Sequence, residues 1–285
     1  MNFSAFPDRA EIDLGDWSTV LAEVGRQFHQ TREVNPFFLH RLKKALEAGR
    51  SRHPLEASCA LGKLAALEGH AGLVRSLFLS AINLAPSHPQ PHLDYALALR
   101  KLGCYHEARL RHEIAHERDQ THGDAFHQYL KGTLLCGRFQ QARTLYTQGI
   151  GRFPLYRTLG HFLQTAASLI EQVGVSDEHL DAMQQSALEW LLRQGLRPLG
   201  VMKTPAVRML FHHPHPDEGN ASVPAHAIIL RWGLQVSRDE TTVQNLNQGL
   251  SREVLPEFIP HLGGVVHFQF LTWGEWPPHP AGFHC

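Results

Sequence analysis

The sequence predicts a mainly α-helical chain: a solenoid of stacked helical hairpins followed by a small α/β domain. Three observations predict it. Segments starting at Leu55, Pro89 and Gly123 align without a gap, 34 residues apart. Glycine recurs at one place in that register, and near Lys203 the apolar residues change from helical spacing to partial alternation. With 285 residues, 43% of them hydrophobic, the protein can bury one large core or two smaller ones.

The first element, residues 1–54, reads as an N-terminal helical hairpin or cap. "DWSTVLAEVGRQFHQ" and "FFLHRLKKALEAG" both place apolar residues at helical spacing. The opening stretch has no basic segment followed by an apolar run, and no window approaches the ~20 apolar residues of a membrane span. The expected compartment is therefore cytoplasmic. Cys59, Cys104, Cys136 and Cys285 show no C-x-x-C spacing, so neither a disulfide framework nor a zinc ribbon is expected. Lys plus Arg and Asp plus Glu stand at 27 each. That balance gives no basic excess for nucleic acid or an anionic membrane.

Residues 55–156 hold the three aligned units. Gly69, Gly103 and Gly137 coincide, followed by Val74, Ala108 and Ala142, then Phe78, His112 and Tyr146, then Ala81, Ala115 and Gly149. Pro86 and Pro154 close the first and third units, with Gln120 at that place in the second. Each unit reads as a helix ended by a glycine in the left-handed conformation, then a second helix with small residues where the two cross. A single hairpin cannot cover its own apolar face, so the units are expected to stack. After them, "RTLGHFLQTAASLIEQV" and "DEHLDAMQQSALEWLLRQG" make a degenerate pair over residues 157–200.

The pattern of Gly62, Gly69, Phe78, Ala81 and Pro86, with Gly103, Tyr105, Ala108 and Ala115, then Gly137, Phe139, Ala142, Tyr146 and Pro154, resembles the tetratricopeptide repeat family. It departs from that family where Ser58, His92 and Phe126 replace an early tryptophan, and where Gly149 replaces an alanine. The resemblance covers about residues 55–156. It implies a concave groove, lined by the first helix of each hairpin, that takes polypeptide segments of partner proteins. Carried onto this sequence, the groove places include Glu56, Cys59, Lys63, Leu67, Gln90, Leu93, Leu97, Arg100, Lys101, Asp124, His127, Lys131, Leu134 and Leu135. Lys63, Arg100, Lys101 and Lys131 beside leucines would suit an acidic, partly apolar segment or a polypeptide C-terminus; solvated helix charge is the other reading. The family's carboxylate clamp has lysine and asparagine where this sequence has Cys59 and Lys63, so a chaperone-tail receptor is not expected.

The second unit also contains "HEIAHERDQTH". His112, Glu113 and His116 have the H-E-x-x-H spacing of zinc peptidases, with His122 beyond as a conceivable third ligand. With 21 histidines in the sequence, such a motif arises by chance roughly 0.1 times. In repeat register His112 takes the place of Phe78 and Tyr146, and His116 that of Ile82 and Ile150. Both are therefore expected as packing residues, not ligands. The metzincin glycine is also replaced by Asp119.

Residues 203–285 read as the small α/β domain. "AVRMLFHH", "AHAIILRWGLQV" and "GGVVHFQFLTWG" have the texture of strands, and "TTVQNLNQGLSREVLPEF" that of a helix between the last two. His215 and Asp217 spell the H-x-D of iron and 2-oxoglutarate oxygenases, with His213 and His267 as further candidate ligands. Against that, no Lys or Arg follows Arg252 to hold the 2-oxoglutarate carboxylate. A proline-rich turn is the plainer reading of "HHPHPDEG". The tail "WGEWPPHPAGFHC" is expected either to dock on the domain or to form an exposed aromatic contact.

The expectation is an adaptor that recognises a protein or peptide partner, without a cofactor and without chemistry. Its C-terminal domain would supply a second contact or a dimer interface. The alternative is a metal-dependent enzyme, using iron or zinc at His213, His215, Asp217 and His267, to which the solenoid delivers a substrate.

Overall fold

The computed structural model describes residues 15–29, 35–155, 157–196, 207–212, 229–237, 239–258, 266–272 and 283–284; the strands are described by backbone and register, with Phe268 also placed in the core. Among the described residues the protein is mainly helical. Trp17–Phe28 (α1) starts at Asp16, whose carboxylate accepts from the Thr19 amide at 2.8 Å. Pro36–Gly49 (α2) starts at Asn35, with proline in the first turn, where its missing N–H costs nothing. Then follow Pro54–Leu67 (α3) and Ala71–Leu84 (α4), Pro89–Lys101 (α5) and Tyr105–Arg118 (α6), and Gly123–Leu135 (α7) and Phe139–Gly149 (α8). Arg157–Gln172 (α9) and Asp177–Arg193 (α10) form a fourth pair.

The turn inside each pair is the same device. Gly69, Gly103, Gly137 and Gly174 have φ of 80°, 82°, 72° and 70°. The following residue donates to a carbonyl five residues back: His70 to Ala65, Cys104 to Leu99, Arg138 to Thr133 and Val175 to Ile170, at 2.9 to 3.2 Å. This is the Schellman closure, in which a left-handed residue lets the helix satisfy its last carbonyls while the backbone reverses. α9 and α10 thus share the turn of the three aligned hairpins, although their residues diverge.

Small residues fix how closely the helices cross. A Cβ on Gly62 would lie 2.5 Å from the Phe78 ring, and one on Gly160 would lie 2.6 Å from Tyr146. Gly149 is covered by the Phe126 ring, which stacks on Phe153 at 4.5 Å. Phe78 stacks on Tyr95 at 5.1 Å, joining the first hairpin to the second. The last pair docks on the third hairpin by a polar route: the buried Asp177 carboxylate accepts from the Gln140 and Gln141 amides at 3.0 and 2.9 Å. It thereby caps α8 from another element, satisfying two of the four orphan N–H groups at that helix start.

Beyond α10 come Val207–His212 (β1), Ile229–Ser237 (β2), Glu240–Glu253 (α11), a 3-10 turn at Leu255–Glu257, Val266–Thr272 (β3) and Phe283–His284 (β4). The sheet order is β3-β2-β1-β4. β1 pairs antiparallel with β2 and β4, while β2 and β3, joined through α11, are parallel. A parallel pair needs such a crossover. α11 is not separated from the helical pairs: Val243, Leu246, Leu250 and Phe268 belong to one apolar cluster with α9 and α10. Gly249 lets α11 lie against the Trp190 ring, whose Nε1 donates to Glu253 at 2.8 Å. No helix among the described residues is long and apolar enough to cross a membrane.

Candidate partner-binding face

The groove residues inferred from the repeat register lie on α3, α5 and α7, the first helices of successive hairpins, and α5 packs against both others. Their environments differ. Leu93 is 5% exposed and Leu134 is 1% exposed, so both belong to the core and offer no contact surface. This corrects their assignment to the groove: at those register places each leucine turns into the apolar packing between helices. Leu67 and Leu97 are half-buried against the core edge.

The cations are held within the fold. Lys63 pairs with Asp94 on the next first-helix at 2.8 Å. Arg100 donates to the Gln128 side chain at 3.1 Å. Lys101 reaches the Phe28 carbonyl at 3.4 Å and lies 5.9 Å from the centre of the Phe28 ring; burial lowers its pKa from the ordinary lysine value. His127 is half-buried, meets the Phe153 ring edge-on at 6.2 Å and leaves Nε2 without a partner among the described residues. Lys131 is half-buried on α7. Lys63, Arg100 and Lys101 of the basic track are thus each tied to another helix. Asp94 was absent from the sequence-based set. Its signal was complementary charge on adjacent first helices, one register unit apart.

The H-E-x-x-H residues have packing roles. His112 is fully buried, with its ring edge against Gly132. Glu113 accepts from Arg109 at 3.2 Å and from the Tyr129 hydroxyl at 2.6 Å. His116 meets Phe126 edge-on at 5.4 Å. His122 caps α7, its Nδ1 accepting from the Ala125 amide at 3.2 Å. Among the described residues no three His, Cys, Asp or Glu side chains come together to hold a metal ion. His213, His215 and Asp217 lie outside the described residues; the His267 backbone lies in β3, opposite Arg231 of β2.

A cleft of about 220 Å³ was not anticipated. It lies between α4, the start of α6, and α10, lined by Arg75, Tyr105, His106, Glu107, Asp181 and Leu188 among others. Its charges are largely matched. Arg75 and the Tyr95 hydroxyl donate to Glu107, both at 2.9 Å, while His106 and Arg138 meet Asp181 at 3.0 and 2.7 Å. The network ties the second hairpin to the last pair, which no local pattern could reveal.

No family model and no curated protein matches this sequence. A solved structure of a MamA mutant is similar at 19% identity and a TM-score of 0.32, covering 50% of this protein and 80% of that one. At that score the likeness carries no argument about function.

Proposed function

We propose that this protein is a scaffold that holds a polypeptide partner along the first helices of its hairpins. The supporting observation is that Lys63, Leu67, Leu97, Arg100, Lys101 and Lys131 stand half-buried on three consecutive first-helices, so that one extended segment could touch every unit. Half-buried cations beside leucines suit a segment that alternates carboxylates with apolar residues. An incoming carboxylate would share Lys63 with Asp94. Its affinity should therefore fall as salt is raised, since the half-exposed charges are screened within a Debye length of ~8 Å at physiological ionic strength. The reading involves no cofactor.

The test is cross-linking of the full-length protein to its co-purifying polypeptide, with the linked peptides mapped by mass spectrometry. Links confined to α3, α5 and α7, lost in the K63E/R100E/K131E variant while its circular dichroism stays that of the parent, are the expected result. Unchanged binding by that variant, or links concentrated elsewhere, would refute the groove. Stoichiometric iron or zinc, lost on replacing His215 and Asp217, would instead assign chemistry to the protein.

A further inference from the structure

The apolar core is divided. One cluster is built from α1 to α5 with Ala108, and another runs from α7 to α11 with Tyr105. Between them Leu93, Ala115 and Ala125 form a separate small contact. The division falls at α5, α6 and α7, where His92, Arg109, His112 and Thr133 are buried at 4%, 6%, 0% and 0% exposure. Thr133 donates to the Tyr129 carbonyl at 2.9 Å. Among the described residues, neither ring nitrogen of His92 or of His112 has a hydrogen-bond partner.

A neutral imidazole carries one donor and one acceptor, and leaving both unmatched in the interior is costly. An imidazolium there would add a buried charge with two donors and no acceptor. The surrounding charges do not relieve that. Arg100 of α5 and Lys131 of α7 act on His112, and Arg111 and Arg118 of α6 act on His92, all of them cationic. Glu113 is taken by Arg109 and Tyr129, and Asp181, which reaches α6 from α10, is taken by His106 and Arg138. His116 feels Arg152, Glu117 and Asp119 at the far end of α6.

We infer that the second hairpin is an acid-operated joint: protonation of His112 and His92 parts α6 from α5 and α7, while the apolar clusters on either side keep their own cores. The joint is independent of what binds the first helices. Burial first, and then the neighbouring cations, lower both imidazole pKa values from the ordinary 6.5, that of His112 well below it. The opened form therefore takes up protons before the closed one. Stability of the joint is complete above the unfolded value and is lost as pH falls below it.

The experiment is hydrogen exchange of the full-length protein at pH 7.5 and pH 5.0, read by mass spectrometry and corrected for the intrinsic pH dependence of exchange. Each imidazole should cost up to about tenfold in protection per pH unit below 6.5, confined to α5, α6 and α7. α1, α2, α9 and α10 should keep their protection. The H92Q/H112Q variant, neutral at both pH values, should lose the acid effect; if it does not fold, each single variant should halve the effect on a logarithmic scale. Protection unchanged at pH 5.0, lost evenly along the sequence, or lost equally in the glutamine variants would overturn the joint. So would a His112 ring resonance that titrates above 6.5.

Discussion

Phe78 and His112 occupy the same place in consecutive hairpins and are equally buried, at 0% exposure. Phe78 stacks on Tyr95 with the rings 10° from parallel and covers Gly62, so its surface is spent on contacts that suit it. His112 fills the equivalent space with a ring whose two nitrogens meet no partner among the described residues. The first hairpin is an apolar joint and the second a polar one. Repeat register decides that a side chain is buried, but the chemistry of that side chain decides whether burial stabilises. A solenoid can thus hold a stiff segment and a weak segment in identical geometry.

The largest test of this contrast is Phe78→Ala. Removing a fully buried aromatic costs about 3–5 kcal/mol, measured by urea denaturation. His112→Ala should cost distinctly less, since the two unpartnered nitrogens leave with the ring; an equal or greater loss at His112 would break the comparison. Next is Asp177→Ala, which strips the Gln140 and Gln141 amides of their acceptor. The expected loss is about 1–3 kcal/mol, with exchange of the first turn of α8 accelerated while α4 is unaffected.

The hairpin turns should be alike where the packing differs. Gly103→Ala forces a side chain into a φ of 82°, costing about 1–2 kcal/mol. Gly69→Ala should cost the same within error. Gly72→Ala, where an added Cβ meets nothing, should gain about 0.4–1 kcal/mol. The smallest effect is expected at Lys63 and Asp94. A double-mutant cycle with Lys63→Met and Asp94→Asn should give a coupling of about 0.2–1 kcal/mol that shrinks as salt is raised. A coupling of zero would make the pair incidental to the stacking of α3 on α5.

The hairpins and their turns were legible because their causes are local. A glycine five residues before a small residue, repeated at fixed spacing, implies a helix end and a close crossing whatever surrounds it. The surroundings of the residues proposed to line the groove were only half legible. Lys63, Arg100, Lys101 and Lys131 fall on the first helices as expected, but Leu93 and Leu134 are core, because the register places a residue on a helix without stating which neighbour covers it. Asp94, Gln128 and the Phe28 carbonyl, which hold Lys63, Arg100 and Lys101, come from other elements. The cleft between α4, α6 and α10 was illegible for the same reason, since its pairs join residues as far apart as His106 and Asp181. The motif at His112, Glu113 and His116 invited a metal reading because spacing along one helix says nothing of what faces it.

By itself the sequence determined where each helix of the hairpins begins, turns and crosses its partner. Those features follow from backbone conformation and side-chain size, both of which act within a few residues. Only the tertiary structure decided which cations are shared between helices, that α10 closes on α8 through Asp177, and that the core divides around His92 and His112. Those outcomes depend on desolvation, which is set by everything that packs around a group and not by the residues beside it in the sequence.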